Sequence, residues 1–217
     1  MITRRAFTAA LSLTGLTALA GFSPLRLITD AIAQGAADVA KPQSLPDMAL
    51  GPANATVTIT EYASMTCPHC AAFGENVFPM LRSNYIDSGK VRFVFREFPI
   101  DIKAAVASML ARCIANDDAG KFFGAIDTLF KQQDRLMADT KDTLKLIGKQ
   151  GGLSEQAVES CAKDQTLLDK LSADQKFAYE VLKVDATPTF FINGERLKGA
   201  MSFEELDGKI KSLLKNQ

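Results

Sequence analysis

The sequence predicts an α/β fold whose two halves are separated by an all-helical domain. Residues 48–100 carry a pattern of strand, helix and strand, and residues 185–217 carry a hairpin pattern followed by a helix. Residues 101–184 show helical periodicity and almost no strand pattern. We therefore expect one split α/β domain, formed by residues 48–100 and 185–217, into which residues 101–184 are inserted as a helical domain.

The first half begins with a predicted buried strand at residues 57–62, which are apolar and rich in β-branched side chains. A helix is predicted from Pro68 to about Ser88, because apolar residues recur at helical spacing and Gly89 is a stop signal. Residues 91–98 form the next predicted strand. These three elements make a β–α–β unit.

The second half contains a predicted hairpin. Thr189–Ile192 and residues 196–198 form its strands, because the dipeptide Asn193-Gly194 between them is typical of a two-residue hairpin turn. A last helix is predicted to begin at Ser202. The spacing of Ser202 and Glu205 fits a capping box, in which each residue binds the backbone N–H of the other.

The helical insertion contains two cysteines on apolar helix faces. Cys113 shares one face of the first inserted helix with Met109 and Leu110, and Cys161 shares one face of a later helix with Val158. Both cysteines are therefore predicted to point inward.

The composition describes a globular chain with ample core. The chain has 217 residues, of which 47% are hydrophobic, and its 25 basic and 25 acidic residues give a formal net charge of zero. A chain with no basic surplus is a poor partner for nucleic acid or for an anionic membrane surface. We therefore expect neither partner.

The first residues are predicted to be an export signal of the twin-arginine type, comprising residues 1–33. Arg4-Arg5 precedes a charge-free apolar run at residues 9–22, which is shorter than a membrane span requires. Cleavage is predicted after Ala33, and an uncleaved leader that anchors the protein is the alternative. Residues 34–47 are predicted to be a flexible lead-in.

The functional prediction depends on the motif Cys67-Pro68-His69-Cys70. It follows the first strand and stands at the head of a helix, where Pro68 suits the first helical position and unpaired N–H groups favour a negative charge. His69 is the only histidine of the chain, and its ring, if protonated, would stabilise a Cys67 thiolate further. The motif therefore predicts a redox-active dithiol.

Pairs of this spacing also occur in zinc sites and in structural disulfides. A structural zinc site needs a second ligand pair at short spacing, whereas Cys113 and Cys161 are far apart in the sequence. A disulfide across two residues at a helix start is accessible and labile, which favours exchange. Soft-metal binding by Cys67, His69 and Cys70 is a further alternative. We predict no metal site and no cofactor.

A resemblance to a known family lies in residues 48–62, 67–70 and 186–194. These stretches are similar to the DsbA-like thiol:disulfide oxidoreductases of the thioredoxin superfamily, and the Pro-His dipeptide between the cysteines is associated with the oxidase branch. The resemblance spans nearly all of the chain after its leader. It implies a thioredoxin-like fold with the helical domain inserted.

The resemblance also implies roles for individual residues. A client thiolate would attack the sulfur of Cys67 and release Cys70. Pro188 would follow a cis peptide bond opposite the dithiol, where the Thr187 backbone pairs with an extended client segment; a trans proline that opens an edge strand is the alternative. Glu61 matches the buried acid of this family, which would relay a proton to or from Cys70, and a surface glutamate at the strand end is the alternative.

The pairing of the remaining cysteines is implied in the same way. Members of the family that have these two cysteines are expected to join them, so Cys113 and Cys161 would form a structural disulfide between two inserted helices. Export supports this reading, because disulfides persist in oxidising compartments. Two buried reduced thiols that pack as small hydrophobic groups are the alternative.

The resulting hypothesis is a periplasmic protein dithiol–disulfide oxidoreductase that transfers its Cys67–Cys70 disulfide to cysteines of exported proteins and is reoxidised by a membrane redox partner. Thr187 favours an alternative, because threonine there is more typical of the isomerase branch, and a disulfide isomerase or reductase is therefore the second hypothesis. Such isomerases usually add an N-terminal oligomerisation module, for which the residues before Leu50 leave little room. A monomer is predicted.

Overall fold

The computed structural model describes residues 37–41 and 43–215. The predicted export signal, residues 1–33, lies outside the described residues, and the predicted lead-in is described only in part. No helix in the described part of the chain is long and apolar enough to cross a membrane.

A mixed sheet of five strands forms the centre of the described structure, in the order β1-β3-β2-β4-β5. The central strand β2 runs parallel to β3 and antiparallel to β4, whereas β1 and β5 pair antiparallel at the two edges. The strands are β1 (Met48–Leu50), β2 (Val57–Ala63), β3 (Val91–Glu97), β4 (Thr189–Ile192) and β5 (Glu195–Lys198).

Strand β2 is buried on both faces, which explains its nearly continuous apolar sequence. Ile59 and Glu61 face one side, where they pair with Phe93 and Phe95 of β3. Tyr62 faces the other side and packs against Phe191 at a ring-centroid distance of 5.7 Å. The acidic side chain of Glu61 therefore lies on a core face of the sheet.

The helix after β2 is divided into three segments, so the prediction of one continuous helix to Ser88 was wrong. Helix α1 (Pro68–Asn76) is followed by α2 (Phe78–Leu81) and by a π-helical turn at Arg82–Ile86. Pro79 explains the break, because proline has no N–H to donate to the carbonyl four residues before it. Gly89, at φ 77°, follows the last segment.

Six helices lie between β3 and β4, within the predicted insertion. Asp or Ser precedes five of them and accepts a hydrogen bond from the backbone N–H of the first turn, which explains where these helices begin. The helices are α3 (Ile102–Ala115), α4 (Ala119–Lys131), α5 (Gln133–Ala138), α6 (Thr140–Gln150), α7 (Glu155–Ala162) and α8 (Gln165–Glu180).

A disulfide links two of the inserted helices. Cys113 of α3 and Cys161 of α7 are bonded at an S–S distance of 2.01 Å. Cys161 is buried, in a cluster that includes Leu45, Met109 and Leu171. Both cysteines thus face the interior of the helical domain.

The described part of the predicted lead-in packs on the folded domain. Asp174 of α8 accepts hydrogen bonds from the backbone N–H groups of Ser44 and Leu45, at 2.6 and 2.9 Å. Asp47 pairs with Arg96 of β3 at 2.8 Å, and Arg96 also donates to the carbonyl of Val39. These contacts join the segment before β1 to both the sheet and the insertion.

The last elements follow the sequence pattern closely. Asn193 and Gly194 both have positive φ and form the hairpin turn. The N–H of Ser202 donates to Glu205 Oε2 at 2.8 Å, and the N–H of Glu205 donates to Ser202 Oγ at 3.2 Å, which confirms the capping box. Helix α9 (Phe203–Lys215) then packs on the sheet through buried apolar side chains.

Candidate active site

The Cys67-Pro68-His69-Cys70 motif stands at the start of α1, close to the end of β2. Cys67 is the N-cap residue, with an extended backbone at φ −82° and ψ 117°, and Pro68 occupies the first turn. The N–H groups of Cys70 and Ala71 donate to the Cys67 carbonyl at 3.1 Å and close that turn. The sulfur of Cys67 therefore lies at the positive end of a helix.

The two cysteines differ in their access to solvent. Cys67 is 5% exposed and Cys70 is fully buried, and both are free thiols in the structure. Pro68 and His69 between them are exposed. The cysteine that a client thiolate is expected to attack thus exposes only a small part of its surface.

The surroundings of Cys67 stabilise its thiolate. The hydrogen bond from the Cys70 thiol has the largest effect on the pKa of Cys67. Smaller effects come from hydrogen bonds with the Thr187 side chain and with two backbone N–H groups. Together these interactions outweigh the opposing effect of burial and lower the pKa of Cys67 to about 5. The two N–H groups belong to Cys70 and His69. A thiol with this pKa is ionised at neutral pH and is a nucleophile.

Cys70 is shifted in the opposite direction. Burial raises the pKa of its thiol strongly, and the hydrogen bond to Cys67 and the negative charges of Glu61 and Cys67 raise it further. At neutral pH Cys70 is therefore a thiol in the reduced pair, and it acts as the hydrogen-bond donor to Cys67.

Glu61 is buried beneath the dithiol. Glu61 is 2% exposed. The structure therefore has the buried acid and not the surface glutamate, which was the alternative from the sequence. Burial raises the pKa of this carboxyl well above its usual range, and the charge of Cys67 raises it further. One carboxyl oxygen, Oε1, has no hydrogen-bond partner among the described residues.

The loop before β4 lies against the dithiol. The Thr187–Pro188 peptide bond is cis, so the structure has the cis form and not the trans alternative. In its protonated form the thiol of Cys67 donates to the carbonyl oxygen of Thr187, with Sγ and O 3.3 Å apart. Thr187 and Pro188 therefore stand beside Cys67, although they are distant from it in the sequence.

His69 stabilises the Cys67 thiolate through its backbone, whereas the sequence suggested a role for its ring. Its ring is exposed, and the interaction through which His69 lowers the pKa of Cys67 is a hydrogen bond from its backbone N–H.

No group of three or more His, Cys, Asp or Glu side chains in the described residues is placed to hold a metal ion.

Three hydrogen bonds that the sequence did not predict hold the loop between β2 and α1. Gln133 of α5 donates from Nε2 to the carbonyls of Met65 and Cys67, at 2.9 and 3.1 Å. Thr66 Oγ1 donates to Asp101 Oδ2 at 2.6 Å. Asp101 carries the sequence signal of a helix N-cap, whereas nothing in the sequence around Gln133 marks it as a neighbour of the dithiol.

Comparison with known proteins identifies the family. The family model described as Thioredoxin matches residues 43–212, which is most of this chain. The chain belongs to the thioredoxin family. Its α/β fold with an inserted helical domain confirms the thioredoxin-like architecture that the sequence predicted.

Individual members of the thioredoxin family are also similar to this chain. A protein of Rickettsia bellii, named as a protein-disulfide oxidoreductase, is 37% identical over 150 residues, which cover 68% of this chain and 57% of that protein. The chain thus spans a little over half the length of this curated relative. Disulfide bond formation protein D of Bacillus subtilis is 27% identical over 178 residues, 77% of each chain.

A solved thioredoxin-family structure extends the match to nearly the whole of another protein. The crystal structure of α-DsbA1 from Wolbachia pipientis has a TM-score of 0.74 and 31% sequence identity, and the match covers 81% of this chain and 94% of that one. This chain is therefore a DsbA-like member of the thioredoxin family.

Proposed function

We propose that this protein is an exported dithiol–disulfide oxidoreductase that donates its Cys67–Cys70 disulfide to cysteines of exported proteins. One observation carries the proposal: the pKa of Cys67 is lowered to about 5, whereas the pKa of Cys70, in the same motif, is raised. A disulfide whose reduced form carries one stable thiolate readily accepts electrons from client thiols.

The reaction begins with a client thiolate, which attacks Sγ of Cys67. A bond forms between the client sulfur and Cys67 while the Cys67–Cys70 bond breaks, and its electron pair leaves with Cys70, which takes up a proton. A second client thiolate then attacks the client sulfur of this mixed disulfide, and Cys67 departs as a thiolate. The client has lost two electrons, and the enzyme has gained them.

The direction of transfer follows from the leaving groups. Cys67 leaves easily because its thiolate is stabilised, so the second step favours release of an oxidised client. The same stabilisation favours the reduced form of the enzyme over its disulfide. Helix position and the hydrogen bond from Cys70 thus both support an oxidase.

Glu61 is proposed to relay the proton that Cys70 needs. Cys70 leaves the disulfide as an anion in a site where burial disfavours that anion, and it therefore requires a proton source inside the protein. Glu61 is buried, carries a raised pKa and is close enough for its charge to act on Cys70. A protonated carboxyl at this position can give its proton to Cys70 and regain one later.

Thr187 and Pro188 are proposed to bind the client. The Thr187 carbonyl faces Cys67, so an extended client segment paired with this loop would bring its cysteine to the exposed side of the sulfur. Recognition through backbone groups suits an enzyme that acts on many cysteine-containing proteins.

The cellular setting is proposed from the sequence. The twin-arginine pattern in residues 1–33 supports export to the periplasm, with cleavage after Ala33 or retention as an anchor. A donor of disulfides has to be reoxidised after each turnover, which calls for a redox partner, and we place that partner in the membrane. We further propose that the enzyme acts as a monomer.

Thr187 favours a second candidate function, that of a disulfide isomerase or reductase with the same chemistry in another direction. The test is the equilibrium between the Cys67–Cys70 disulfide and glutathione, measured by alkylation and mass analysis of the peptide that carries both cysteines. An oxidase is expected to have a potential near or above about −180 mV. A value near the roughly −270 mV of thioredoxin would overturn the oxidase in favour of the second candidate.

A further inference from the structure

A cavity of about 370 Å³ lies between the sheet and the helices α1, α2 and α4. Its inner wall is formed by strands β1 to β3, and Gly120 and Gly124 of α4 lie at its exposed edge. Of its lining residues, Glu61 alone belongs to the candidate active site. The cavity therefore reaches the buried acid from the side of α4, where neither cysteine contributes to the lining.

The walls of this cavity are aromatic. Phe78 stacks on Phe123 at a centroid distance of 5.8 Å with the ring planes 4° apart, and Phe93 contacts both of them, at 4.9 and 6.0 Å. Packed rings of this kind form a stiff apolar surface with a preference for other rings. The six phenylalanines that line the cavity are Phe73, Phe78, Phe93, Phe95, Phe123 and Phe130.

Glu61 is the polar feature of the inner wall. Its Oε1 is buried and has no hydrogen-bond partner among the described residues. Two charged residues, Arg82 and Asp127, stand at the exposed edge, and each already has an ion-pair partner in Asp87 or Lys131. A ligand that enters the cavity thus meets, at its inner end, a carboxyl group without a hydrogen-bond partner among the described residues.

These features specify the chemistry of a ligand. A buried polar atom without a partner is costly, so a ligand that hydrogen-bonds to Glu61 gains more than the bond alone. An ordered water needs about two to four polar partners, whereas the aromatic inner wall offers the carboxyl group of Glu61 alone. A charged ligand would lose its hydration among the rings, which disfavours ions.

The size of the cavity matches a small ring compound. An apolar cavity of about 150 Å³ holds benzene, and sites for small molecules begin at about 300 Å³. We infer that this cavity is a binding site for neutral aromatic molecules that carry one hydroxyl group, with the ring among the phenylalanines and the hydroxyl hydrogen-bonded to Glu61. The site shares Glu61 with the proposed proton relay, and ligand binding to it does not depend on the direction of thiol exchange.

The experiment compares 4-fluorophenol with fluorobenzene, which differ by the hydroxyl group alone, in ¹⁹F NMR titrations of the purified protein. We expect saturable binding of 4-fluorophenol and at least about fivefold weaker binding of fluorobenzene, because one net hydrogen bond alone supplies about that factor. In Glu61→Leu this difference should disappear. A difference that persists in Glu61→Leu would overturn the assignment of the hydroxyl to Glu61.

Two glycine variants locate the site. A side chain added at Gly124 meets no atom within 4 Å and stands at the cavity edge, so Gly124→Leu should abolish binding of both compounds. Gly208 of α9 is equally unobstructed but does not line the cavity, and Gly208→Leu should bind like the wild type. Both changes place a good helix former within a helix, and circular dichroism checks the fold.

Absence of saturable 4-fluorophenol binding would overturn the inference, as would equal affinities in the two glycine variants. If Gly124→Leu fails to fold, the binding site is located instead by nuclear Overhauser effects between 4-fluorophenol and the wild-type protein. Cross-peaks between the ligand and the phenylalanine rings of the cavity support the site, and cross-peaks confined to other residues overturn it. No thiol client is present, so the result is separate from the test of the oxidase.

Discussion

Sγ of Cys67 lies 3.3 Å from the carbonyl oxygen of Thr187, across a sequence separation of 120 residues. The sulfur belongs to the β–α–β half of the chain and the carbonyl to the hairpin half, so the whole helical insertion lies between them in the sequence. The reactive thiol therefore reaches its final environment only when both halves of the split domain have joined.

The first prediction concerns the Thr187 side chain, whose hydrogen bond helps to lower the pKa of Cys67. Thr187→Val removes the hydroxyl and keeps the shape, so the pKa of Cys67 should rise from about 5 by roughly half a unit to one unit, the effect of one net hydrogen bond. Thiolate absorbance at 240 nm measures it. Thr187→Ser keeps the hydroxyl and serves as the control, and equal values in both variants would contradict the prediction.

The second prediction separates the roles of the two active-site cysteines. Cys70→Ala leaves no internal thiol to resolve a mixed disulfide at Cys67, so adducts with client proteins should accumulate on gels run without reducing agent. Cys67→Ala removes the attacked sulfur and should form no adducts and show no activity. Adducts on the Cys67→Ala variant alone would reverse the assigned order of attack.

The third prediction is the pH dependence of Cys67 reactivity. The thiolate is the reactive form, and its pKa is about 5, so the rate of alkylation by iodoacetamide should be constant above about pH 6 and fall about tenfold per pH unit below pH 5. Because the Cys70 thiol is the largest stabilising influence, Cys70→Ala should move this fall to higher pH. A profile with its midpoint near pH 8 to 9, that of an ordinary thiol, would contradict it.

The fourth prediction concerns the disulfide of the helical domain. The bond closes a loop with a sequence separation of 48 residues, so the double variant Cys113→Ser, Cys161→Ser should lose on the order of 4 kcal/mol of unfolding free energy. The site at Cys67 lies in the other domain, and oxidation of a reduced client should change much less. Thermal unfolding unchanged by the double variant would show that the bond adds no stability.

The fifth prediction concerns the buried ion pair between Glu97 of β3 and Arg112 of α3, at 2.5 Å. Glu97→Ala leaves a buried guanidinium without its partner and should cost about 3–5 kcal/mol in denaturant unfolding. The double variant Glu97→Leu, Arg112→Met replaces both charges by apolar groups and should recover most of that loss. A double variant as unstable as Glu97→Ala would show that the charges themselves are needed.

Elements with a local cause were predictable from the sequence. The Asn193-Gly194 turn and the Ser202 capping box depend on neighbouring residues and occur where the pattern indicates. The split at Pro79 also has a local cause, but the continuous apolar pattern concealed it.

Features that depend on distant contacts were not predictable. Strand β1 has three residues and exists because it pairs with β3. The buried side of β2 could not be chosen from alternation, because both faces are apolar, and the position of Glu61 therefore stayed open. Gln133 reaches the dithiol loop only through the packing of α5, so nothing in the nearby sequence could indicate its contact with Cys67.

The exposed ring of His69 has a practical consequence. The chain contains one histidine, and it stands between the two redox-active cysteines. The imidazole resonances of the whole protein therefore originate from a single residue next to the reacting sulfur. A change in the imidazole resonances of His69 would record oxidation, reduction and client capture in solution, without any label attached to the protein.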